Sequence, residues 1–390
     1  MILSPQDIHG LDAQTGRPVR VRAASSIEQV DELPDEGRTT GDTYVAPGWI
    51  DLQVNGFAGV DYNDPAVSHE AIARSIEVIA STGVTRCYPT VITGAPEAMG
   101  AAIANLARAK EGLPLGAVFD GLHVEGPHIS PEDGPRGAHP ARWVRPPDID
   151  EFKRWQDLAG GHIRLVTLSP EWPGAAAYIE AVTATGVVVA IGHTRATSTQ
   201  IAEAVSAGAT MSTHLGNGAH AVLPRHPNYI WDQLADDRLM ASFIADGIHL
   251  PASFLTPAIR AKGTTRAVLV TDASAPAASA PGRYRLGEQA VDLTPDGRVV
   301  LAGQDRLAGS ALRLDRAVSR VMQLGGVTLA DAVAMATTNA ARAGRVTGRA
   351  RGLVAGDRAD LVRFRIDRAT GHILIDETYV AGRCVYRRGE

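Results

Sequence analysis

Short apolar, β-branched runs recur along the middle of the chain, separated by longer alanine-rich stretches whose apolar positions repeat every three or four residues. Eight such runs are legible: Trp49–Gln53, Val84–Thr90, Ala117–Val124, Ile163–Leu168, Val187–Ile191, Thr210–Thr213, Met240–Ile244 and Ala267–Thr271. Runs that are short and mostly apolar suit strands buried on both faces, as in a parallel sheet covered by helices. The intervening stretches predict amphipathic helices, among them His69–Thr82, Ala95–Lys110, Ala175–Thr185 and Ser198–Ala207. Repeated strand–helix alternation predicts an α/β fold, a (β/α)8 TIM barrel over residues 47–349.

The two ends break this rhythm. Residues 1–46 and 350–390 hold short strand-like pieces interrupted by Gly, Pro and Asp, such as Tyr44-Val45-Ala46 and Leu361–Phe364. The expected arrangement is a small β-sandwich built from both termini beside the barrel, with a last helix over about Thr328–Ala343 leading back to it. Residues 278–306 read as an inserted hairpin with Thr294-Pro295-Asp296-Gly297 as its turn.

Composition excludes more than it identifies. With 390 residues, 45% of them hydrophobic, the chain can bury one large barrel core with a small appendage. A net charge of −5 with interspersed signs argues against a nucleic-acid or anionic-membrane surface. No apolar run reaches the roughly 18 residues of a membrane span, and Met1–Gly10 lacks the pattern of a signal peptide, so a cytoplasmic protein is expected. The two cysteines, Cys87 and Cys384, fit a reduced compartment rather than a disulfide framework.

The candidate chemistry clusters at the C-terminal ends of the runs: Gln53 and Asn55, Glu125, His193, His214, Asp246 and His249, and Asp272. Active sites of (β/α)8 barrels are built at that end. Taken singly, Glu125 is an ordinary loop carboxylate and each histidine an ordinary core or capping residue. Together, Glu125, His193 and His214 form a set of one carboxylate and two imidazoles suited to Zn2+ or Fe2+, with a position left open for water. Asp272 closes an apolar strand, where it can accept a proton from the attacking water and deliver it to a departing amine. His123 reads as a core or supporting residue and His128 as a candidate substrate contact. His9, His69, His162 and His372 belong to no constellation.

Further segments carry a resemblance. Pro47–Gly56, Tyr88–Thr90, Gly121–Pro127, Gly137–Pro140, Thr167–Glu171, Ile191–His193, Thr213–Leu215, Ile244–His249, Val270–Ala273 and Leu307–Ser310 follow one another over nearly the whole chain. In that order they resemble the N-acetylglucosamine-6-phosphate deacetylases of the amidohydrolase superfamily. The resemblance implies hydrolysis of the N-acetyl group of an amino sugar, with N-acetylglucosamine 6-phosphate giving glucosamine 6-phosphate and acetate. It implies that His139 donates to the amide carbonyl and stabilises the oxyanion. It further implies substrate contacts from His249, from the turn at Asn217 and Gly218, and from Gln53 and Asn55. Arg225 resembles an arginine that reaches a neighbouring subunit's active site to meet the phosphate, which implies a homodimer. Many amidohydrolases carry His-X-His where this chain has Gln53-Val54-Asn55; amides are poor zinc ligands, so one divalent metal per chain is expected.

The departures from the family pattern lie where substrate is chosen. Gly216-Asn217-Gly218-Ala219 replaces Tyr-Asn-Ala-Met, the stretch His220–Trp231 is unfamiliar, and Leu250-Pro251 replaces Val-Asp. His220, His226 and Trp231 offer material for a different pocket. Two alternatives therefore stay open. One is an amidohydrolase acting on another N-acyl amine, such as a non-phosphorylated or different amino sugar or an N-acyl-D-amino acid; the other is a non-catalytic scaffold barrel.

Overall fold

The apolar runs become eight consecutive parallel strands of one sheet: β1 (Trp49–Val54), β2 (Val84–Ile92), β3 (Leu122–Glu125), β4 (Ile163–Leu168), β5 (Val188–Ile191), β6 (Met211–Ser212), β7 (Met240–Phe243) and β8 (Ala267–Leu269). The structure is a computed structural model and describes residues 4–34, 43–348 and 352–389. Each strand pairs with its neighbour in sequence; Val166, for example, lies between Val124 and Val189. The ends of the sheet meet just beyond the last regular pairs. There the Asn55 N–H donates to the Ala273 carbonyl at 2.7 Å and the Asp272 N–H to the Gln53 carbonyl at 3.0 Å. Below this seam the buried Asp51 carboxylate accepts from the Thr271 N–H at 3.1 Å and the Thr271 hydroxyl at 2.6 Å.

Ten α-helices accompany the strands: α1 (His69–Ala80), α2 (Pro96–Gly112), α3 (Ile149–Leu158), α4 (Ala175–Ala184), α5 (Ser198–Ser206), α6 (Tyr229–Ala235), α7 (Ala252–Lys262), α8 (Leu314–Gly325), α9 (Leu329–Ala336) and α10 (Thr338–Ala343), counted among the described residues. Several starts are set by side chains that satisfy the first free N–H groups: Ser68 before α1, and capping boxes at Thr197/Gln200 before α5 and Thr328/Asp331 before α9. Their apolar stripes, such as Ile72, Ile76 and Ile79 of α1, join Leu52, Leu165, Val189 and Leu269 in one continuous core. No helix among the described residues is long and apolar enough to cross a membrane.

Local differences from the sequence reading have local causes. The run from Ala117 opens as a 3-10 turn over Gly116–Val118, and the strand begins only at Leu122, after Asp120 and Gly121. The helix expected over Thr328–Ala343 is divided at Thr337 (φ −132°, ψ −91°), whose hydroxyl donates to the Val333 carbonyl at 2.6 Å. A β-branched hydroxyl side chain competes for helix carbonyls in this way.

The termini combine beside the barrel as one seven-stranded sheet, ordered Arg383–Arg387, Ile373–Val380, Leu361–Ile366, Thr43–Pro47, Gln6–Asp12, Pro18–Ala23 and Ile27–Glu32. Thr43–Pro47 links the two halves, antiparallel to Leu361–Ile366 and parallel to Gln6–Asp12. Ile8, Val19, Val21, Val45 and Leu361 form a separate small core there. A buried ion pair, Arg86 Nε to Asp360 Oδ2 at 2.7 Å, ties this sheet to β2. The insert carries three antiparallel strands rather than two, Gly282–Leu286, Gln289–Leu293 and Val299–Leu301, with the expected turn closed by the Thr294 N–H on the Arg298 carbonyl. Leu286, Val291, Leu293 and Leu301 pack with Ile92 at the end of β2, which holds the insert over the C-terminal mouth of the barrel.

Candidate metal centre and its pocket

Glu125 is the last residue of β3; His193 and His214 follow the ends of β5 and β6 after one intervening residue each. His193 Nε2 lies 3.2 Å and His214 Nε2 2.9 Å from the same oxygen, Glu125 Oε1, and the two Nε2 atoms are 3.0 Å apart. All three side chains are buried. The Nδ1 of His193 faces the Pro135 carbonyl at 2.9 Å, and a carbonyl only accepts, so the proton of this ring sits on Nδ1 and Nε2 presents a lone pair. Two imidazole nitrogens and a carboxylate oxygen crowded at this distance repel unless a cation lies between them, and a divalent metal suits this donor set. Burial alone would raise Glu125, but the His193 and His214 rings beside it hold it well below the usual carboxylate range. Burial also opposes charge on His214, yet Glu125 outweighs it and raises that imidazole.

Backbone strain accompanies the chemistry. His193 (φ 49°), His214 (φ 30°) and Asp272 (φ 51°) all adopt the left-handed region, which ordinary side chains avoid. Such conformations persist only where the surroundings impose them, and they concentrate at functional sites. All three side chains line one cavity.

Asp272 is joined to the centre by amides. Gln53 Nε2 bridges Glu125 Oε1 at 2.8 Å and Asp272 Oδ1 at 3.1 Å, and Asn55 Nδ2 donates to Asp272 Oδ1 at 2.6 Å. Burial, and then the Glu125 charge, raise Asp272 to about 6. Two further histidines face the same space. His139 Nδ1 lies 2.8 Å from the Thr93 hydroxyl, and its ring stands edge-on to His193 with centroids 4.5 Å apart. Burial lowers His139 to about 3, so this ring is neutral. His249 donates through Nδ1 to Asp246 Oδ2 at 2.6 Å, leaving Nε2 for another partner.

These groups surround a cavity of about 340 Å3 whose lining includes Asn55, Glu125, His139, His193, His214, His249 and Asp272. The rest of its wall comes from Gly216–His220 in the loop after β6 and from Leu286 and Arg306–Gly309 of the insert. Across all of this the chain matches the amidohydrolase family over residues 44–385.

The chain belongs to that family.

This amidohydrolase is 32% identical to the N-acetylglucosamine-6-phosphate deacetylase of Lysinibacillus sphaericus over 94% of its own length and 91% of that protein's. It is 34% identical to an N-acetylgalactosamine-6-phosphate deacetylase of Escherichia coli O157:H7, over 86% and 87% of the two chains. A solved structure of the Mycobacterium smegmatis N-acetyl-D-glucosamine-6-phosphate deacetylase, an Asp-to-Ala variant in complex with N-acetyl-D-glucosamine 6-phosphate, superposes with a TM-score of 0.87. That structure is 30% identical in sequence, and the match covers 97% of each chain.

The residues singled out in the sequence fall into distinct positions in this amidohydrolase. Glu125, His193, His214, Asp272, His139, His249, Asn217 and Gly218 share the cavity. Gln53 and Asn55 direct their amide N–H groups at the carboxylates, and only Asn55 lines the cavity. His220 lines it too, held by the Tyr229 hydroxyl and Glu132. Arg225, His226 and Trp231 do not line the cavity of their own chain, and all three are exposed. His123 lies beneath the centre, donating to the Leu52 carbonyl and meeting the Thr167 hydroxyl at 2.8 Å. His128 is buried between Trp155 and Tyr178, away from the cavity. Thr93 and Arg306 escaped notice in the sequence. Thr93 follows β2 directly, at a strand end like the other candidates, whereas Arg306 closes the expected insert and its only signal is its position directly before the Leu307–Ser310 segment.

Proposed function

We propose that this amidohydrolase hydrolyses the N-acetyl group of N-acetylglucosamine 6-phosphate, giving glucosamine 6-phosphate and acetate. One observation carries the reading: Glu125, His193 and His214 converge on a single point, and Gln53 holds Asp272 beside it. The named activities of the relatives point to the same substrate class. We take the resident ion to be one Zn2+ per chain, since two imidazoles and a carboxylate with an open position suit it; Fe2+ is the competing choice. Gln53 and Asn55, being amides turned onto carboxylates, add no second set of ligands.

Such an ion, when bound by Glu125, His193 and His214, supplies Lewis acidity that makes water a competent nucleophile near neutral pH. The chain's own residues do the rest. Asp272 Oδ1 is occupied by the two amide donors, so the proton of the attacking water passes to Oδ2. From there it goes to the amide nitrogen as the C–N bond breaks and the amine leaves. Neutral His139 carries one ring proton. With the Thr93 hydroxyl donating to Nδ1, that proton sits on Nε2, where it can meet the oxygen that gains charge during attack. Asp246, by accepting from Nδ1–H, holds the His249 ring with Nε2 toward the sugar.

We further propose a homodimer in which the loop after β6 meets the partner. Val222 and Trp231 are 86% and 53% exposed on this loop and the following helix, an apolar area next to the exposed Arg225 that a second copy would cover. Arg225 would then be offered to the neighbouring site as a phosphate contact.

The test is acetate release by the metal-loaded protein from N-acetylglucosamine 6-phosphate, N-acetylgalactosamine 6-phosphate and unphosphorylated N-acetylglucosamine. Fastest release from the first is expected, and fastest release from the second would reassign the substrate to the C4 epimer. No release from either phosphate ester by protein holding one metal per chain would overturn the reading.

A further inference from the structure

One charged group in the cavity takes no part in the chemistry above. Arg306 is the only arginine or lysine among the described residues that line it. The insert delivers it rigidly: the Arg306 carbonyl accepts from the Leu301 N–H at 2.9 Å, and the Ala308 N–H donates to the Val299 carbonyl at 3.0 Å. Its guanidinium reaches back to the loop that carries His139. Nη1 donates to the Gly137 carbonyl at 3.1 Å, and Gly137 lies against the metal-site ring, since a Cβ there would stand 3.3 Å from His193 Cε1. The cation is therefore about one residue's breadth from the metal centre.

Its present partner is a carboxylate held in the geometry of an anionic ligand. Asp133 accepts through both oxygens, Oδ1 from Nη1 at 2.6 Å and Oδ2 from Nη2 at 2.9 Å. The Asp133 side chain is 66% exposed and that of Arg306 37% exposed. An ion pair this open to water contributes little net free energy and costs little to break. Asp133 also has somewhere to go, because Arg136 Nη2 already lies 3.2 Å from Oδ1. Of the five N–H donors of the guanidinium, Asp133 and Gly137 engage three, which leaves Nε–H and one Nη2–H unengaged among the described residues.

We propose that Arg306 is the within-protomer receptor for the anionic group of the substrate, and that Asp133 is a displaceable placeholder for that anion. On the proposed function, which this inference rests on, the anion is the 6-phosphate. A phosphate offers the same pair of oxygens to the guanidinium fork with more charge than the carboxylate it replaces. Gly137 keeps the fork in place during the exchange, and Arg136 receives the released carboxylate. The role is independent of Arg225, which approaches from outside the chain's own cavity.

The test is calorimetric binding of the product glucosamine 6-phosphate to the metal-loaded full chain and its variants. Arg306→Gln should weaken binding by about 10- to 100-fold, the range for loss of a charge-assisted contact. Arg306→Lys, which keeps the charge and loses the fork, should recover only part. Asp133→Asn should tighten binding, because the competing charge is gone. Binding by Arg306→Gln within twofold of the parent, in protein that melts at the parent temperature, would overturn the inference and leave the proposed function standing. A parent protein that does not bind glucosamine 6-phosphate at all would instead overturn the phosphate-sugar reading, and the role of Arg306 with it.

Discussion

Gly218 offers the sharpest test of how the metal centre is held. It sits in the loop after β6 with φ 55°, and a Cβ built on it would lie 2.6 Å from His193 Nδ1, about 0.8 Å inside the ordinary contact limit of 3.4 Å. Gly218→Ala therefore sets two costs. The left-handed backbone is disfavoured for alanine by about 1–2 kcal/mol. The methyl group must also push the His193 ring, which cannot rotate freely because its Nδ1–H is tied to the Pro135 carbonyl. Metal–ligand distances tolerate only about 0.2 Å of error, so a ring displaced by several tenths of an ångström no longer presents Nε2 correctly. Disturbing a group that orients a ligand typically costs about 10- to 100-fold in metal affinity, and that is the expected loss here. The assay is competition for Zn2+ against a chromophoric chelator, with denaturant unfolding of the metal-free proteins run in parallel to separate folding from binding. A variant that binds Zn2+ within twofold of the parent would refute the claim that Gly218 is required by the approach to His193.

Three further outcomes are expected. Asp272→Asn should retain one metal per chain by elemental analysis yet lose at least about 100-fold in kcat, the low end of a general acid–base contribution; an active variant would remove Asp272 from the proton path. Thr93→Val should lower kcat about tenfold with KM little changed, because His139 loses the hydroxyl that fixes its proton on Nε2; unchanged kcat in steady-state kinetics would refute this. Asp61, which accepts from the Asn63 and Gly287 N–H groups, is raised by burial to about 6. The folded state therefore holds this proton more tightly than the unfolded chain, and the contribution of Asp61 to stability falls as pH rises from about 4 to about 6. Asp61→Asn should abolish that slope, moving the stability difference from the parent in the variant's favour by on the order of 2 kcal/mol between about pH 4 and pH 7; denaturant titrations in which that difference is pH-independent would refute it.

The barrel was legible because each of its strands is short, apolar and followed by a stretch of helical periodicity, and because its chemical residues stand where strands end. Glu125, His193, His214 and Asp272 share that single signal. Contacts made across the fold were not legible in this way. Gln53 and Asn55 look like substrate-facing amides in the sequence, yet their N–H groups point at carboxylates that lie up to 219 positions away. Arg306 comes from a strand pair whose pattern describes only an insert; its place over the mouth follows from Leu286, Val291 and Leu293 packing on Ile92, a long-range contact with no local mark. The divided helix at Thr337 depends on one side-chain hydrogen bond and was equally invisible to periodicity.

The seam between β1 and β8 also orders events during synthesis. Glu125, His193 and His214 come from strands whose residues have all been made once position 214 is in the chain. Asp272 comes later, and the hydroxyl of Ser310, which donates to the Thr271 carbonyl at 2.6 Å, later still. A growing polypeptide thus contains Glu125, His193 and His214 well before it contains Asp272. Since Asp272 takes up its position only when the first strand finds the last, catalytic competence arrives with closure of the ring, and acetate release from a translating ribosome would time that closure directly.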